Sequence, residues 1–377
     1  MNQLNRRQWM QTATLAGLGA LFAQTASAQT ESAQTASSIR QAHLSGAPLI
    51  RLSANENPYG PSEKVRSAMV NAFEKVCRYP GMFQAELQQM LADKHGVGKD
   101  NILLVAGSTE GLKLCGLTYG SNGKEIVAAD PVFKALMTYA EHFGSYIHRV
   151  AVDDQLQHDL EEMEARVTQN TGLVFVCNPG NPTGTVVPAP KMRQFCDELS
   201  NRTMVFSDEA YFDYITEPNY PSMVELVKQD KNVVVSRTFS KVFGLAGIRV
   251  GYLIARPDII ARLGQAMMAR PNVLAIFAAI EALKDKDFYQ LSLAKNRICK
   301  NMIYETLDEL GMEYQASHTN FVFFKTGKDI AEVQKAILKH GIAIGRPFPP
   351  LRDWCRISTG RIEDVQQFCD ALKKEFS

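Results

Sequence analysis

The chain has almost no net charge, no internal repeat and no apolar run long enough to cross a bilayer as a helix. Its 377 residues include 41 Lys and Arg against 40 Asp and Glu, a formal net charge of +1. This balance provides no overall field to attract nucleic acid or an acidic membrane surface. No repeat with a period of about 20 to 50 residues is present, which argues against a solenoid or propeller. We therefore predict a globular protein of more than one domain, with no nucleic-acid partner and no stable membrane span.

Cysteine pairs with the spacing of zinc sites or redox motifs are also missing. The chain has seven cysteines, an odd number, and none of them form a C-x-x-C pair. Most lie in apolar or helical contexts, where cysteine usually serves as a small buried apolar side chain. The sequence therefore predicts no metal site.

The N-terminus differs from the rest of the chain. Arg6-Arg7 precede an apolar stretch at 12–23, and small residues follow in the A-x-A pattern Ala26-Ser27-Ala28. The paired arginines resemble a twin-arginine export signal. We predict a signal peptide at 1–28, a disordered spacer at 29–47 and export to the periplasm. The alternatives are an uncleaved anchor and a basic N-terminus that arose by chance.

From residue 100 onward, short β-rich runs alternate with amphipathic helical segments. The runs are 102–106, 125–129, 146–152, 173–177, 203–207, 232–236 and 250–254. Helical patterns separate most of them, including 109–119, 132–142, 159–168 and 188–200. Apolar strands alternating with helices favour an α/β fold, in which helices cover both faces of a mostly parallel sheet. We predict seven strands in a large domain at 48–270.

After Pro271 the pattern indicates a smaller α+β domain at 271–377. Helical patterns occur at 274–284, 288–310, 329–340 and 362–376, and strand patterns at 320–325, 342–345 and 355–359. The segment 48–60 is extended and rich in proline, and we expect it to lie against this smaller domain.

Ligands of such sheets bind beyond the carboxyl ends of the strands, and there the sequence places polar residues. Gly107-Ser108-Thr109 opens a helix after one strand. Ser108 is a suitable N-cap, and the helix N-terminus favours a phosphate. A plain capped helix explains this motif alone equally well.

Two further strands end in NPGNPTG (178–184) and DEAY (208–211). Asn181 projects a donor and an acceptor from a rigid turn. Asp208 needs a cation if it is buried, and Tyr211 follows three residues later. Taken singly, an ordinary turn and a salt-bridged aspartate remain adequate explanations.

The segment SRTFSKVFGLAGIRVGY (236–252) follows a fourth strand. Ser240 and Arg249 suit a phosphate, because a guanidinium offers forked donors to phosphate oxygens. Lys241 could be a second phosphate ligand or the amine of a Schiff base. A solvated surface lysine fits poorly beside Val242-Phe243.

Together these groups match one ligand. It has a phosphate, a cationic ring nitrogen for Asp208, a phenolate oxygen for Asn181 and Tyr211, and an aldehyde for Lys241. Pyridoxal 5′-phosphate has all four features, and the combination is far more specific than any single motif.

The same strings resemble the fold-type-I pyridoxal-phosphate aminotransferases of classes I and II, over about residues 48 to 374. Within that group LSANENPYG (52–60), RYPG (78–81) and CRISTG (355–360) are similar to the histidinol-phosphate aminotransferases. The resemblance implies amino transfer between an amino acid and a 2-oxo acid by ping-pong kinetics, with Lys241 as the lysine that binds the cofactor.

The resemblance also implies roles for individual residues. Ser108, Thr109, Ser240 and Arg249 would hold the cofactor phosphate, and Phe133 would stack on the ring where the family usually has tyrosine. Tyr79 would reach the phosphate of a partner subunit, which implies a homodimer. The substrate end would contain Arg356 for the carboxylate, with Asn55 and Asn320 beside it.

The sequence departs from the histidinol-phosphate pattern at the substrate end. Gln367 stands where a second arginine is expected, although Arg361 lies nearby, and an apolar string, PFPPLRDW, occupies 347–354. We therefore interpret the substrate side chain as aromatic or aliphatic, without a phosphate. The alternatives are a genuine histidinol-phosphate aminotransferase, a decarboxylase or lyase similar to threonine-phosphate decarboxylase, and a non-catalytic binding protein. The last would need an attached partner domain, and none is visible.

Overall fold

A computed structural model describes residues 49–377 of the chain. The predicted signal peptide at 1–28 and the predicted spacer at 29–47 therefore lie outside the described residues. Within residues 49–377, no helix combines the length and the apolar character that a membrane span requires.

The predicted seven-stranded sheet is present and dominates the fold. Its strands are β2 (Ile102–Val105), β3 (Glu125–Asp130), β4 (Tyr146–Ala151), β5 (Thr171–Cys177), β6 (Met204–Asp208), β7 (Val233–Thr238) and β8 (Gly251–Ile254). Their order across the sheet is β2-β8-β7-β6-β5-β3-β4. Only β8 runs antiparallel to its two neighbours. The carboxyl ends of β5, β6 and β7 are consequently adjacent, and β2 ends at the same edge.

Both faces of this sheet are covered, as the apolar strands predicted. Along β5, Val174 and Val176 belong to one apolar cluster, whereas Leu173 and Phe175 belong to another on the opposite face. This alternation is the two-residue period of a strand. A strand buried on both faces has no polar face to reveal its register, which is why these runs read as continuously apolar.

Among the described residues, nine α-helices precede or accompany this sheet. They are α1 (Glu63–Asn71), α2 (Gln84–His95), α3 (Ser108–Gly120), α4 (Ala135–His142), α5 (Leu160–Ala165), α6 (Ala189–Ser200), α7 (Val224–Val227), α8 (Pro257–Gln265) and α9 (Val273–Lys284). Five of them, α3 to α6 and α9, lie close to segments that the sequence predicted as helical. Short 3₁₀ helices lie at Phe73–Lys75, Pro80–Phe83, Lys99–Asn101 and Phe212–Tyr214. The helix predicted from residue 132 begins only at Ala135. Pro131, Val132 and Phe133 instead follow the end of β3, which leaves Phe133 free to face the site described below.

The C-terminal part contains a second apolar core around a three-stranded antiparallel sheet. Its elements are β9 (Tyr314–Gln315), β10 (Phe321–Lys325) and β12 (Trp354–Ser358), with α10 (Lys286–Glu309), α11 (Ile330–Leu338) and α12 (Ile362–Phe376). The predicted strand at 342–345 is only the two-residue β11 (Ile342–Ala343), which pairs in parallel with β1 (Ile50–Arg51). The extended N-terminal arm thus lies against this part, as expected. Helix α9 follows the predicted boundary at residue 270, yet its Ala275 and Ile276 belong to the apolar cluster of the large sheet. The domain boundaries therefore stay a prediction.

Candidate active site

A cavity of about 360 Å³ opens at the carboxyl ends of the strands and gathers most of the predicted site residues. Its volume lies within the range typical of small-molecule sites. Tyr79 and Asn320 are absent from its lining. The predicted residues that line it are Asn55, Ser108, Thr109, Phe133, Asn181, Asp208, Tyr211, Ser240, Lys241, Arg249 and Arg356.

Lys241 lies just beyond β7, and its amine points into the protein. Its Nζ donates to the backbone oxygen of Asn55 at 2.9 Å and lies 5.3 Å from the centre of the Tyr211 ring. Burial lowers the pKa of Lys241 to about 8, with a further contribution from the charge of Arg356. An amine with this pKa supplies an appreciable neutral fraction near pH 7, which a nucleophile or a base requires.

Asp208 is the last residue of β6 and is 3% exposed. Burial raises the pKa of Asp208 from 3.8 to about 7, although the backbone N–H of Ala210 and the charge of Lys241 oppose this effect. Its Oδ1 is buried and has no hydrogen-bond partner among the described residues. A buried, unpartnered carboxylate oxygen is costly unless a ligand donates to it.

The phenol of Tyr211 joins residues from both parts of the chain. Its oxygen accepts from Asn55 Nδ2 at 3.0 Å and from Asn181 Nδ2 at 3.2 Å. Asn181 Oδ1 in turn accepts from Arg356 Nη1 at 2.7 Å. Arg356 also donates Nη2 to the backbone oxygen of Ser53 at 2.8 Å, while its buried Nε has no partner among the described residues. Burial lowers the pKa of Arg356 to about 10, which still leaves the guanidinium charged at neutral pH.

The phosphate end of the cavity differs from the prediction in one detail. Helix α3 begins at Ser108, so Gly107 is the N-cap and Ser108 is not. Gly107 has φ +83°, and a Cβ on it would lie 2.1 Å from Arg249 Nη2. Only glycine therefore permits this approach of the guanidinium to the start of the helix.

The side chain of Arg249 is held beside that helix start by two hydrogen bonds. Its Nη1 donates to Ala246 O at 2.9 Å and to Ser240 Oγ at 3.4 Å. Helix N–H groups, hydroxyls and a guanidinium thus converge on one end of the cavity, a suitable arrangement for a phosphate.

Two predicted residues lie outside the lining. Tyr79 is 94% exposed, and its predicted contact with a partner subunit stays a prediction. Asn320 lies behind the wall, where its Nδ2 donates to Glu56 O at 3.4 Å. Since Glu56 itself lines the cavity, Asn320 adjoins the substrate end through that residue.

Sequence reasoning missed Arg346, which lines the cavity together with Phe348. The Arg346 guanidinium lies 4.3 Å from the centre of the Phe348 ring. Gln367, in contrast, is exposed on α12 and is not part of the lining. Position 367 therefore does not line this cavity, and the interpretation of the substrate from Gln367 stays a prediction. The sequence offered one indication of this role, since Arg346 directly precedes the apolar string 347–354 that was assigned to the substrate end.

These residues fit pyridoxal phosphate on structural grounds. The unpartnered Oδ1 of Asp208 suits a ring nitrogen, and the partly neutral amine of Lys241 suits an aldehyde. The start of α3, with the guanidinium of Arg249 beside it, suits a phosphate. The fold and the site thus define an α/β protein that binds pyridoxal phosphate.

The chain belongs to the family Aminotransferase class I and II, which it matches over residues 47–372. It is an aminotransferase, and its cofactor is pyridoxal 5′-phosphate. It is 38% identical over 306 residues to a histidinol-phosphate aminotransferase of Moorella thermoacetica, covering 81% of this chain and 79% of that protein.

Solved structures agree with this assignment. Histidinol-phosphate aminotransferase from Sinorhizobium meliloti in complex with pyridoxal-5′-phosphate superposes with a TM-score of 0.81, at 28% identity over 88% of this chain and 92% of that one. L-threonine-O-3-phosphate decarboxylase from Porphyromonas gingivalis has a TM-score of 0.74 at 23% identity, over 87% of this chain and 99% of that one. The latter likeness concerns the fold alone.

Proposed function

We propose that this aminotransferase moves an amino group between an amino acid, or a similar amine, and a 2-oxo acid, with Lys241 as the residue that binds the cofactor. The observation that carries this proposal is the position of the Lys241 amine in the same cavity as the unpartnered carboxylate of Asp208. Asp208 would face the ring nitrogen, and Asn181 and Tyr211 the ring oxygen. The phosphate would lie against Ser108, Thr109, Ser240 and Arg249, and Phe133 against the ring.

When bound, pyridoxal phosphate supplies an electron sink for negative charge that develops at the substrate Cα. Asp208 maintains the positive charge of the ring nitrogen that this sink requires. Lys241, once its amine is free, would accept the proton from the substrate Cα and deliver it to the carbon that carried the cofactor's aldehyde, since a pKa of about 8 allows both the neutral and the charged amine near neutral pH. Arg356 fixes the substrate carboxylate through its guanidinium.

The substrate side chain would extend toward Arg346 and Phe348. Contact with the Phe348 ring supports an aromatic or aliphatic side chain. Arg346 favours a second candidate, histidinol phosphate or another phosphate-bearing amine, because a guanidinium beside the cavity can pair with a phosphate. The activity in the names of the relatives agrees with this second candidate.

One experiment tests the cofactor assignment, and a second tests the substrate. Borohydride reduction of the holoenzyme should attach the cofactor to Lys241, as located by peptide mass spectrometry. A label on another lysine would contradict the assignment. A panel of amino acids, histidinol phosphate and 2-oxo acids, compared by kcat/KM, should show amino transfer to an acceptor. Release of CO₂ without transfer would indicate a decarboxylase instead.

Arg346→Gln separates the two substrate candidates. It should reduce kcat/KM for a phosphate-bearing amine far more than for an amino acid with an apolar side chain. Equal losses for both would show that Arg346 does not contact the side chain.

We also propose that two copies of the chain form a homodimer. Large apolar side chains are exposed along one stretch of chain, at Val70, Phe73, Val76, Tyr79 and Met82. An exposed apolar patch of this kind favours a protein interface. Tyr79 would there reach the cofactor phosphate of the partner subunit.

Finally, we propose export to the periplasm by the twin-arginine route. The support is the sequence pattern of Arg6-Arg7, the short apolar stretch and Ala26-Ser27-Ala28. Export after folding suits a protein that must capture its cofactor in the cytosol.

A further inference from the structure

The backbone of Asn55 is left-handed, with φ 54°, although the residue carries a side chain. This conformation is uncommon outside glycine and is best tolerated by asparagine and aspartate. Asn55 is 2% exposed, and its carbonyl oxygen accepts the hydrogen bond of Lys241 Nζ at 2.9 Å. Rotation of the backbone at Asn55 would turn this carbonyl away from the amine. The hydrogen bond to Lys241 therefore depends on the left-handed conformation.

Ser358 holds Asn55 in that conformation from the opposite part of the chain. Its Oγ accepts from the backbone N–H of Asn55 at 2.8 Å and donates to Asn55 Oδ1, also at 2.8 Å. Ser358 is 2% exposed and is the last residue of β12. It stands two residues after Arg356, so both side chains project from the same face of the strand. One hydroxyl group thus fixes both the backbone and the side chain of Asn55.

The hydrogen bonds between Ser358 and Asn55 also determine whether the phenol of Tyr211 acts as an acceptor or as a donor. Because Ser358 occupies Oδ1 of Asn55, the amide of Asn55 presents Nδ2 to Tyr211 at 3.0 Å. Asn181 supplies a second donor to the phenol oxygen at 3.2 Å. A phenol has one hydrogen to donate, and these two incoming donors leave that hydrogen available for a ligand oxygen. Burial raises the pKa of Tyr211, so the phenol keeps its proton at neutral pH.

We propose that Ser358 is a positioning residue, which directs the Asn55 carbonyl to the Lys241 amine and the Asn55 amide to Tyr211. Its effect on catalysis rests on the proposed role of Lys241, but the geometry belongs to the protein without its cofactor. Since β12 also carries Arg356, the strand that would hold the substrate carboxylate then also sets the hydrogen bond of the amine.

A purely structural role for the Ser358 hydroxyl has a different consequence. The backbone N–H of Ser358 already donates to Leu52 O at 2.9 Å and so ties β12 to the N-terminal arm without the hydroxyl. If the side chain only reinforced that contact, its removal would change stability and leave the titration of Lys241 unchanged.

The test measures that titration in the cofactor-free protein. The rate at which acetic anhydride modifies Lys241 is followed against pH by peptide mass spectrometry. A carbonyl acceptor favours the charged amine, so Ser358→Ala should lower the titration midpoint by about 0.5–1 pH unit. Ser358→Thr keeps the hydroxyl and should restore the wild-type midpoint. The other charged groups that act on the amine, Arg356, Glu56, Asp208 and Arg249, are the same in all three proteins.

A matched pair at Asn55 tests the same inference without altering Ser358. Asn55→Gly and Asn55→Ala lose the same amide group, but only glycine adopts the left-handed conformation readily. The midpoint of Lys241 should be lower in the alanine variant than in the glycine variant. Equal midpoints in these two variants, or an unchanged midpoint in a folded Ser358→Ala protein, would overturn the proposal. The borohydride label is independent of these measurements, so failure of the cofactor assignment remains distinguishable.

Discussion

Replacement of Asp208 by asparagine should remove a specific pH dependence from the stability of the cofactor-free protein. Burial raises the pKa of Asp208 from 3.8 to about 7. A pKa shift of one unit corresponds to a free-energy difference of about 1.4 kcal/mol between the two protonation states. Ionised Asp208 therefore lowers the free energy of unfolding by about 4 kcal/mol. The folded pKa exceeds the unfolded one, so the folded state binds more protons between about pH 4 and pH 7. Stability contributed by this group is complete below pH 4 and is lost as the pH rises to 7.

The assay is urea unfolding of the two cofactor-free proteins at pH 5 and pH 8. Between these values wild type should lose about 2–3 kcal/mol more than Asp208→Asn, because the amide does not ionise. Other groups with shifted pKa values, such as His95, are common to both proteins and cancel in the comparison. With cofactor present, the variant should lose about 10²-fold or more in kcat/KM, since the ring nitrogen lacks its anion. Parallel pH dependences of stability would refute the reasoning, because they would show that the carboxylate is not desolvated.

Three further predictions concern the substrate end, the assembly and the destination of the protein. Arg356→Gln should weaken transition-state binding of a carboxylate-bearing substrate by roughly 2–5 kcal/mol, measured as kcat/KM, with little loss for an amine that lacks a carboxylate. Mixed Tyr79→Phe and Lys241→Ala subunits should recover activity, because a hybrid dimer has one site with both defects and one with neither. A fully active monomer in sedimentation would contradict this. Changing Arg6-Arg7 to Lys-Lys should retain the protein in the cytosolic fraction, and an unchanged distribution between fractions would exclude the twin-arginine route.

Much of the cofactor site could be predicted from the sequence because its residues follow strands. A parallel sheet brings the carboxyl ends of its strands to one edge, so residues far apart in the chain converge there. Asn181 and Lys241 follow β5 and β7 in this way, and Asp208 is the last residue of β6. Their positions required only the order of strands and turns, which the apolar runs and the Gly- and Pro-containing turns specify.

The substrate end was less predictable, because it depends on how the C-terminal part lies against the large sheet. Gln367 occupies a plausible place in the sequence but points to solvent from α12, whereas Arg346 lies in the cavity. Packing between side chains sets the orientation of a helix relative to a distant strand, and no local sequence pattern predicts that orientation.

By itself, the sequence determined the class of fold and the cofactor, since the fold class follows from periodicity and the cofactor from the combination of polar side chains at the strand ends. Only the tertiary structure decided which polar groups satisfy one another. Ser358 bonds to the left-handed Asn55 from 303 residues further along the chain, and the carbonyl of Asn55 accepts from Lys241. Hydrogen bonds of this kind form only after two apolar cores have packed and brought the arm, β12 and the end of β7 together. The pKa of the Lys241 amine, on which its action as a base depends, is therefore set by the tertiary structure.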